Sequence, residues 1–114
     1  MSMNSESSAD HARQALREML DEASYKMIES LSLHPKSAFQ IASATGVPLT
    51  TTYRKIKKLR QLGLVSIERI DLDEKGKKLL MYKSRVRVTR FDVKPESVMM
   101  ALEMTGPCLQ FRLL

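Results

Sequence analysis

The chain has 114 residues, 43% of them apolar and 28% charged, which suits one folded domain and excludes disorder over most of its length. Nineteen basic residues against thirteen acidic give a net charge of +6, and no apolar run of about 18 residues and no signal-peptide core occur, so neither a membrane-spanning nor an exported chain is expected. A single cysteine, Cys108, excludes an internal disulfide and fits a reducing cytoplasm.

The charge is unevenly spread. Residues 1–35 hold three basic and six acidic side chains, a net of −3; residues 36–91 hold fourteen and four, +10; residues 92–114 hold two and three, −1. One central surface is therefore expected to face a polyanion, with flanks kept away from it. A membrane-surface role would need a basic helix with bulky apolar residues free on its other face.

Residues 1–8 are small and polar and read as a flexible N-terminus. From about Ala9 to Ser32 the apolar residues Leu16, Leu20, Ala23, Met27 and Leu31 recur at helical spacing, with Met19 and Ile28 widening the stripe. One helix of about 24 residues would exceed what a small core needs from its first helix. Its N-terminal half, from Ala12 to Leu20, then has apolar surface to bury, either on a partner subunit or on this chain's own C-terminal segment. His34-Pro35 ends the helix, because the residue before proline avoids the helical region.

Ser37 to Thr45 reads as a short helix with Phe39 or Ala38, Ile41, Ala42 and Thr45 on one side. Gly46 and Val47 make a turn, and Pro48 to Leu62 reads as the next helix, ended by Gly63. On that helix Leu49, Thr52, Ile56 and Leu59 form an apolar face, whereas Thr50, Arg54, Lys57 and Lys58, flanked by Thr51 and Tyr53, form a face without an acid. Short polar side chains and an arginine can reach base edges in a major groove, and lysines can meet phosphates on its walls. A solvated amphipathic helix would have the same pattern. Two helices joined by a short turn with Gly make a helix-turn-helix, whose second helix is the reader.

The run SAFQIASATGVPLTTTYRKIKKLRQLGLV, about 30 residues without a gap, resembles the helix-turn-helix of winged-helix transcription regulators, in particular the arsenical-repressor and archaeal sugar-regulator families. The features that carry the resemblance are the Ile-Ala pair, the Gly turn, the Thr-rich segment and the closing Leu-x-x-x-Gly-Leu-Val. Thr52 departs from the pattern, standing where those families usually have Val or another apolar residue. Threonine is isosteric with valine and can satisfy its hydroxyl within the helix. The resemblance implies a winged fold and a DNA-binding regulator.

The next segment fits a wing. Leu64 to Leu72 alternates apolar Val65, Ile67 and Ile70 with polar residues, Asp73-Glu74-Lys75-Gly76 is turn-rich, and Leu79 to Ser84 returns as a second strand. Lys75, Lys77 and Lys78 at the tip would meet flanking DNA, partly offset by Asp71, Asp73 and Glu74, unless the loop is merely solvated. Tyr82 to Val93, YKSRVRVTRFDV, resembles the segment that leaves the wing as a strand in archaeal winged-helix regulators. Its alternation slips between Val88 and Phe91, which predicts a bulge or bend. Arg85, Arg87 and Arg90 would contact phosphates or form the wet face of an edge strand. Pro95 is expected to open a final helix with Val98, Met99 and Leu102 on its apolar side, ended by Gly106-Pro107. Cys108 to Leu114 is an alternating apolar tail.

Catalysis has no foothold. His11 and His34 lie on different elements, Cys108 has no partner, and no phosphate loop, nucleophile motif or paired carboxylates occur. Asp71 and Asp73 read as turn formers, and Cys108 as a packing residue.

The expected architecture is α+β, mainly α: a winged helix-turn-helix over 9–93 with a long N-terminal helix, a hairpin wing over 65–84 and a C-terminal dimerisation helix within 94–114. The expected function is a homodimeric DNA-binding regulator of the cytoplasm or nucleoid, without cofactor, metal, membrane or catalytic role. Its DNA contacts would be Thr50, Thr51, Tyr53, Arg54, Lys57, Lys58, Lys75, Lys77, Lys78 and Arg85. Its dimer surface would be Leu16, Met19, Leu20, Ala23, Val98, Met99 and Leu102. A protein-interaction module or a non-specific chromatin-type protein would use the same fold, though the first has no need of +10 on reader and wing.

Overall fold

The computed structural model describes the backbone of residues 3–104 and 109–112 and the side chains of residues 10–104. Four helices come first: α1 (Met3–Leu20), α2 (Glu22–Ser30), α3 (Ala38–Thr45) and α4 (Leu49–Gln61). Five strands follow: β1 (Val65–Leu72), β2 (Lys78–Ser84), β3 (Val86–Lys94), β4 (Ser97–Met104) and β5 (Leu109–Arg112). The strands form two antiparallel sheets, β1-β2 and β3-β4-β5.

The single long N-terminal helix expected from periodicity is two helices. Asp21, with φ −78 and ψ 127, leaves the helical region, and its carboxylate accepts from the Ser24 N–H at 3.0 Å. A side chain that caps a new helix competes with continuation of the old one. The first helix also begins earlier than expected, at Met3 rather than near Ala9.

Local chemistry fixes the helix-turn-helix. The Ser37 side chain accepts from the Gln40 N–H, and the Gln40 side chain accepts from the Ser37 N–H, a capping box that starts α3. Gly46 at φ 77 ends it, donating to the Ala42 carbonyl. Gly63 at φ 75 ends α4, where Leu64 N–H reaches the Leu59 carbonyl at 2.9 Å and Gly63 N–H the Arg60 carbonyl at 3.0 Å. This double closure satisfies carbonyls that the helix end would otherwise orphan and turns the chain directly into β1. Thr52 is fully buried, and its hydroxyl donates to the Val47 carbonyl at 3.4 Å, so the Thr-for-Val departure leaves no unsatisfied group.

The wing is a hairpin with a register shift between Ile67 and Arg69. Lys36 and Tyr82 exchange backbone hydrogen bonds of 3.0 and 2.8 Å, pinning the segment before α3 to β2. The wing therefore has a fixed position against the helix-turn-helix.

The C-terminal helix expected from Pro95 does not form. Pro95 and Glu96 make a two-residue turn between β3 and β4, with Lys94 opposite Ser97. The fixed φ of proline suits the second residue of a turn as well as the first turn of a helix, so Pro95 alone does not discriminate. Burial of every second residue decides it: Met100, Leu102 and Met104 are buried, whereas Met99, Ala101 and Glu103 are half-buried. The predicted irregularity in β3 exists, but it falls between Val86 and Val88. The sheet begins at Val86, ahead of the expected 94–114 segment, and Gly106, Pro107 and Cys108 lie outside the described residues.

One core results. Met27, Leu31, Ile41, Leu59 and Leu64 are fully or almost fully buried under the helix-turn-helix, and Ala15, Met19, Met100, Leu102 and Met104 continue the same cluster. The C-terminal half of α1, the Ala12–Leu20 stretch, thus spends its apolar side on this chain's own C-terminal sheet, and α1 also lies against β5. Met19 and Leu102, expected at a dimer surface, are interior residues. Leu16 and Ala23 are half-buried against the core, Val98 and Met99 are half-buried, and Leu20 is exposed.

Candidate nucleic-acid interface

Helix α4 has a buried, an outward and two lateral sides. Thr52, Ile56 and Leu59 are buried. Thr50, Tyr53, Arg54, Lys57, Arg60 and Gln61 are exposed, and Thr51 is half-buried at the edge facing α2. The spacing of about 3.6 residues per turn that sends Thr52, Ile56 and Leu59 into the core sends Thr50, Arg54, Lys57 and Gln61 to solvent. Thr50, Tyr53, Arg54 and Lys57 therefore form a continuous outward strip.

Two lysines of α4 face the opposite edge. Lys55 Nζ lies 2.9 Å from the Asp21 carboxylate and 3.7 Å from that of Glu18, which is buried and also accepts from the Ser24 hydroxyl at 3.2 Å. The hydrogen bond from Lys55, and after it the Ser24 N–H, hold the Asp21 carboxyl below the ordinary carboxylate range. Lys58, half-buried, donates to the Gln14 side-chain carbonyl on α1, and Gln14 donates to Asp10. Lys58, expected among the DNA contacts, is thus occupied on the α1 side of the helix and stands apart from the outward strip. Lys55 and Lys58 fix the position of α4 against α1 and the start of α2.

On the other edge, a trough separates α4 from the wing. At one end Phe39, Tyr53, Lys78, Leu79, Leu80 and Tyr82 surround a cavity of about 210 Å³. At the other, Lys57, Arg60 and Arg85 flank a more open depression of about 510 Å³ floored by Gly63 and β1. Tyr82 lines the first of these, and burial pushes its phenol up from the usual value despite the nearby Arg60 charge.

Two acids of the wing, Asp71 and Asp73, are taken up locally. An Asp73 carboxylate oxygen accepts from the Lys75 and Lys77 N–H groups, each at 2.8 Å, which closes the turn at Gly76. Asp71 pairs with Arg69 at 3.0 Å. Among the described residues, Arg54, Lys57, Arg60, Lys75, Lys77, Lys78 and Arg85 form no ion pair within 4.0 Å. Lys75, Lys77 and Lys78 are exposed and Arg85 is half-buried. The structure brings Thr50, Tyr53, Arg54, Lys57, Lys78 and Arg85 onto reader and trough, with Lys75 and Lys77 at the hairpin tip.

Two residues of this surface escape the sequence pattern. Arg60 lies one turn beyond Lys57, and its spacing from Tyr53 marked it as facing the wing once the wing's side was known. Phe39 read equally well as a core residue, but Ala38 takes that place and Phe39 is 68% exposed. Among the described residues no group of three His, Cys, Asp or Glu could hold a metal ion, and no helix is long and apolar enough to cross a membrane.

No family model and no curated protein matches the chain. Among solved structures it is similar to the crystal structure of NolR from Sinorhizobium fredii, with a TM-score of 0.56 and 23% identity over 74% of this chain and 78% of that one. The fold is a winged helix-turn-helix of the α+β class.

Proposed function

We propose that the chain is a DNA-binding transcription regulator that acts as a homodimer, with α4 in the major groove and the β1-β2 wing on flanking DNA. The observation that carries this reading is the outward strip of α4. Thr50, Tyr53 and Arg54 stand exposed near the helix start, Lys57 follows one turn on, and no acid shares the strip. Thr50, Thr51, Tyr53 and Arg54 would approach base edges. Lys57, Lys75, Lys77, Lys78, Arg85 and Arg60 would lie along phosphates, where unpaired cations release counterions from DNA. Lys58 would act from behind, holding α4 to α1. The likeness to NolR is one of fold.

Binding rather than catalysis is the role, and the place of action is the DNA of the cytoplasm. Two half-sites read by two α4 helices would lie about 34–36 Å apart, one turn of the duplex, and a two-fold dimer sets that spacing. The test is selection of bound fragments from genomic DNA, followed by titration of the recovered site and a random duplex over a range of salt. The reading expects the recovered site to bind at least about a thousandfold tighter than random sequence. Equal affinity for both would make the protein a non-specific DNA coat, and no binding to either would make it a protein-interaction module.

A further inference from the structure

Strand β3 is an edge. It pairs with β4 on one side, and among the described residues no strand takes its other side over the nine residues Val86–Lys94. Every second residue of β3 turns its N–H and C=O away from β4, a row of unpaired groups that templates another strand. Edge strands are commonly protected by charge, and β3 carries Arg87, Arg90, Asp92 and Lys94. From Arg90 through Asp92 to Lys94 the signs alternate, so these charges select a register rather than forbid pairing.

We propose that β3 is the dimerisation strand, pairing antiparallel with β3 of a second copy across a two-fold axis at Phe91. Residues whose numbers sum to 182 then stand opposite one another. Arg90 of each chain faces Asp92 of the other, twice by symmetry, and Phe91 faces Phe91. Slipping by two residues one way sets Arg90 against Arg90. Slipping the other way sets Asp92 against Asp92 and Arg90 against Lys94. Like charges directly opposite are destabilising and opposite charges favourable, so one register of long overlap survives. Asp92 is free to exchange partners, because its present contact to Lys94 is a 3.7 Å pair with both side chains more than half exposed.

The two faces of the sheet agree. Arg90 and Asp92 stand opposite Ala101 and Met99, on the face away from buried Met100 and Leu102. Phe91 and Val93 stand opposite Met100 and Val98, on the core side, yet are 46% and 73% exposed, and among the described residues no strand lies beyond this edge to cover them. A second β3 would place Phe91 beside Phe91 and Val93 beside Thr89, extending the apolar face of each sheet. The result is an isologous six-stranded sheet.

The inference supplies the interface for the homodimer proposed above and rests on that reading only for the oligomeric state, so it is tested without DNA. Sedimentation equilibrium at micromolar concentration should give a dimer for the unaltered protein. Arg90→Asp and Asp92→Arg each create like-charge contacts and should weaken dimerisation at least about tenfold. Arg90→Asp combined with Asp92→Arg in one chain should restore the dimer. Mixing the two single variants should also restore it, as a heterodimer, because the altered charges then meet in complementary pairs. Far-UV circular dichroism checks that each exposed-site variant keeps its fold. A dimer that neither single substitution weakens, or a double variant that stays monomeric, would overturn the β3 interface while leaving the dimer intact. An unaltered protein that is monomeric would overturn both. Loss of DNA binding by a protein that still dimerises would count against the DNA reading alone.

Discussion

The Lys55 contact gives the clearest quantitative prediction about what holds the reader in place. Lys55→Ala removes a side chain only 14% exposed and leaves Glu18, 10% exposed, with the Ser24 hydroxyl as its remaining partner. Removing one partner of a fully buried pair costs about 3–5 kcal/mol, because the other charge stays buried. Asp21 is 37% exposed, so it rehydrates and adds little. The Glu18 side dominates, and the expected loss is about 2–3 kcal/mol. For a domain of this size that lowers Tm by about 10–15 °C. Urea unfolding at neutral pH with an unchanged slope measures it. Adding Glu18→Gln to a Lys55→Met background should recover most of the loss, since no uncompensated charge then remains. The contribution of Asp21 has a defined sign: its folded-state value is lowered, so its stabilisation is complete above the ordinary value of 3.8 and is lost as pH falls through the lower folded value. The stability gap between parent and Lys55→Ala should shrink in that acid range. A loss below about 0.5 kcal/mol at neutral pH, the scatter of ordinary surface substitutions, would refute the reasoning.

Arg54→Ala should weaken binding to the selected site by about 1–3 kcal/mol while sparing random duplex, whereas Lys57→Ala should weaken both alike and flatten the salt slope by about one unit; identical behaviour of the two variants would dissolve the division between base and phosphate contacts. Leu102→Ala should cost about 2–5 kcal/mol of unfolding free energy, independent of protein concentration, because the side chain fills this chain's own core. Gly63→Ala should cost about 1 kcal/mol through backbone strain alone, since φ is +75° and no atom lies within 4 Å of the added carbon; thermal unfolding that leaves Tm unchanged would contradict it.

Local signals with one reading determined much of this protein from sequence. The Ser37 and Gln40 capping box, the Gly46 turn, Pro48, and the Gly63-Leu64 closure each satisfy backbone groups within a few residues, so the helix-turn-helix and its polar outward strip were legible before any packing. So was the wing, because Asp73 and Gly76 form their turn with neighbours. Tertiary structure decided what local chemistry left degenerate. Pro95 serves a helix start and a turn equally, and the Val98–Met104 segment has both apolar spacings; burial of Met100, Leu102 and Met104 beneath α1 chose the strand. Ala38 and Phe39 compete for one core slot, and packing gave it to Ala38, leaving Phe39 exposed. Asp21 stands inside an apolar period that continues past it, and only its cap on Ser24 divides α1 from α2. Lys58 and Lys55 looked like part of a uniformly basic helix, but α1 lies against that side and supplies Gln14, Glu18 and Asp21. Where a residue's partner is adjacent in sequence its role can be read directly; where the partner arrives from a distant element, only the packed chain determines which face is free.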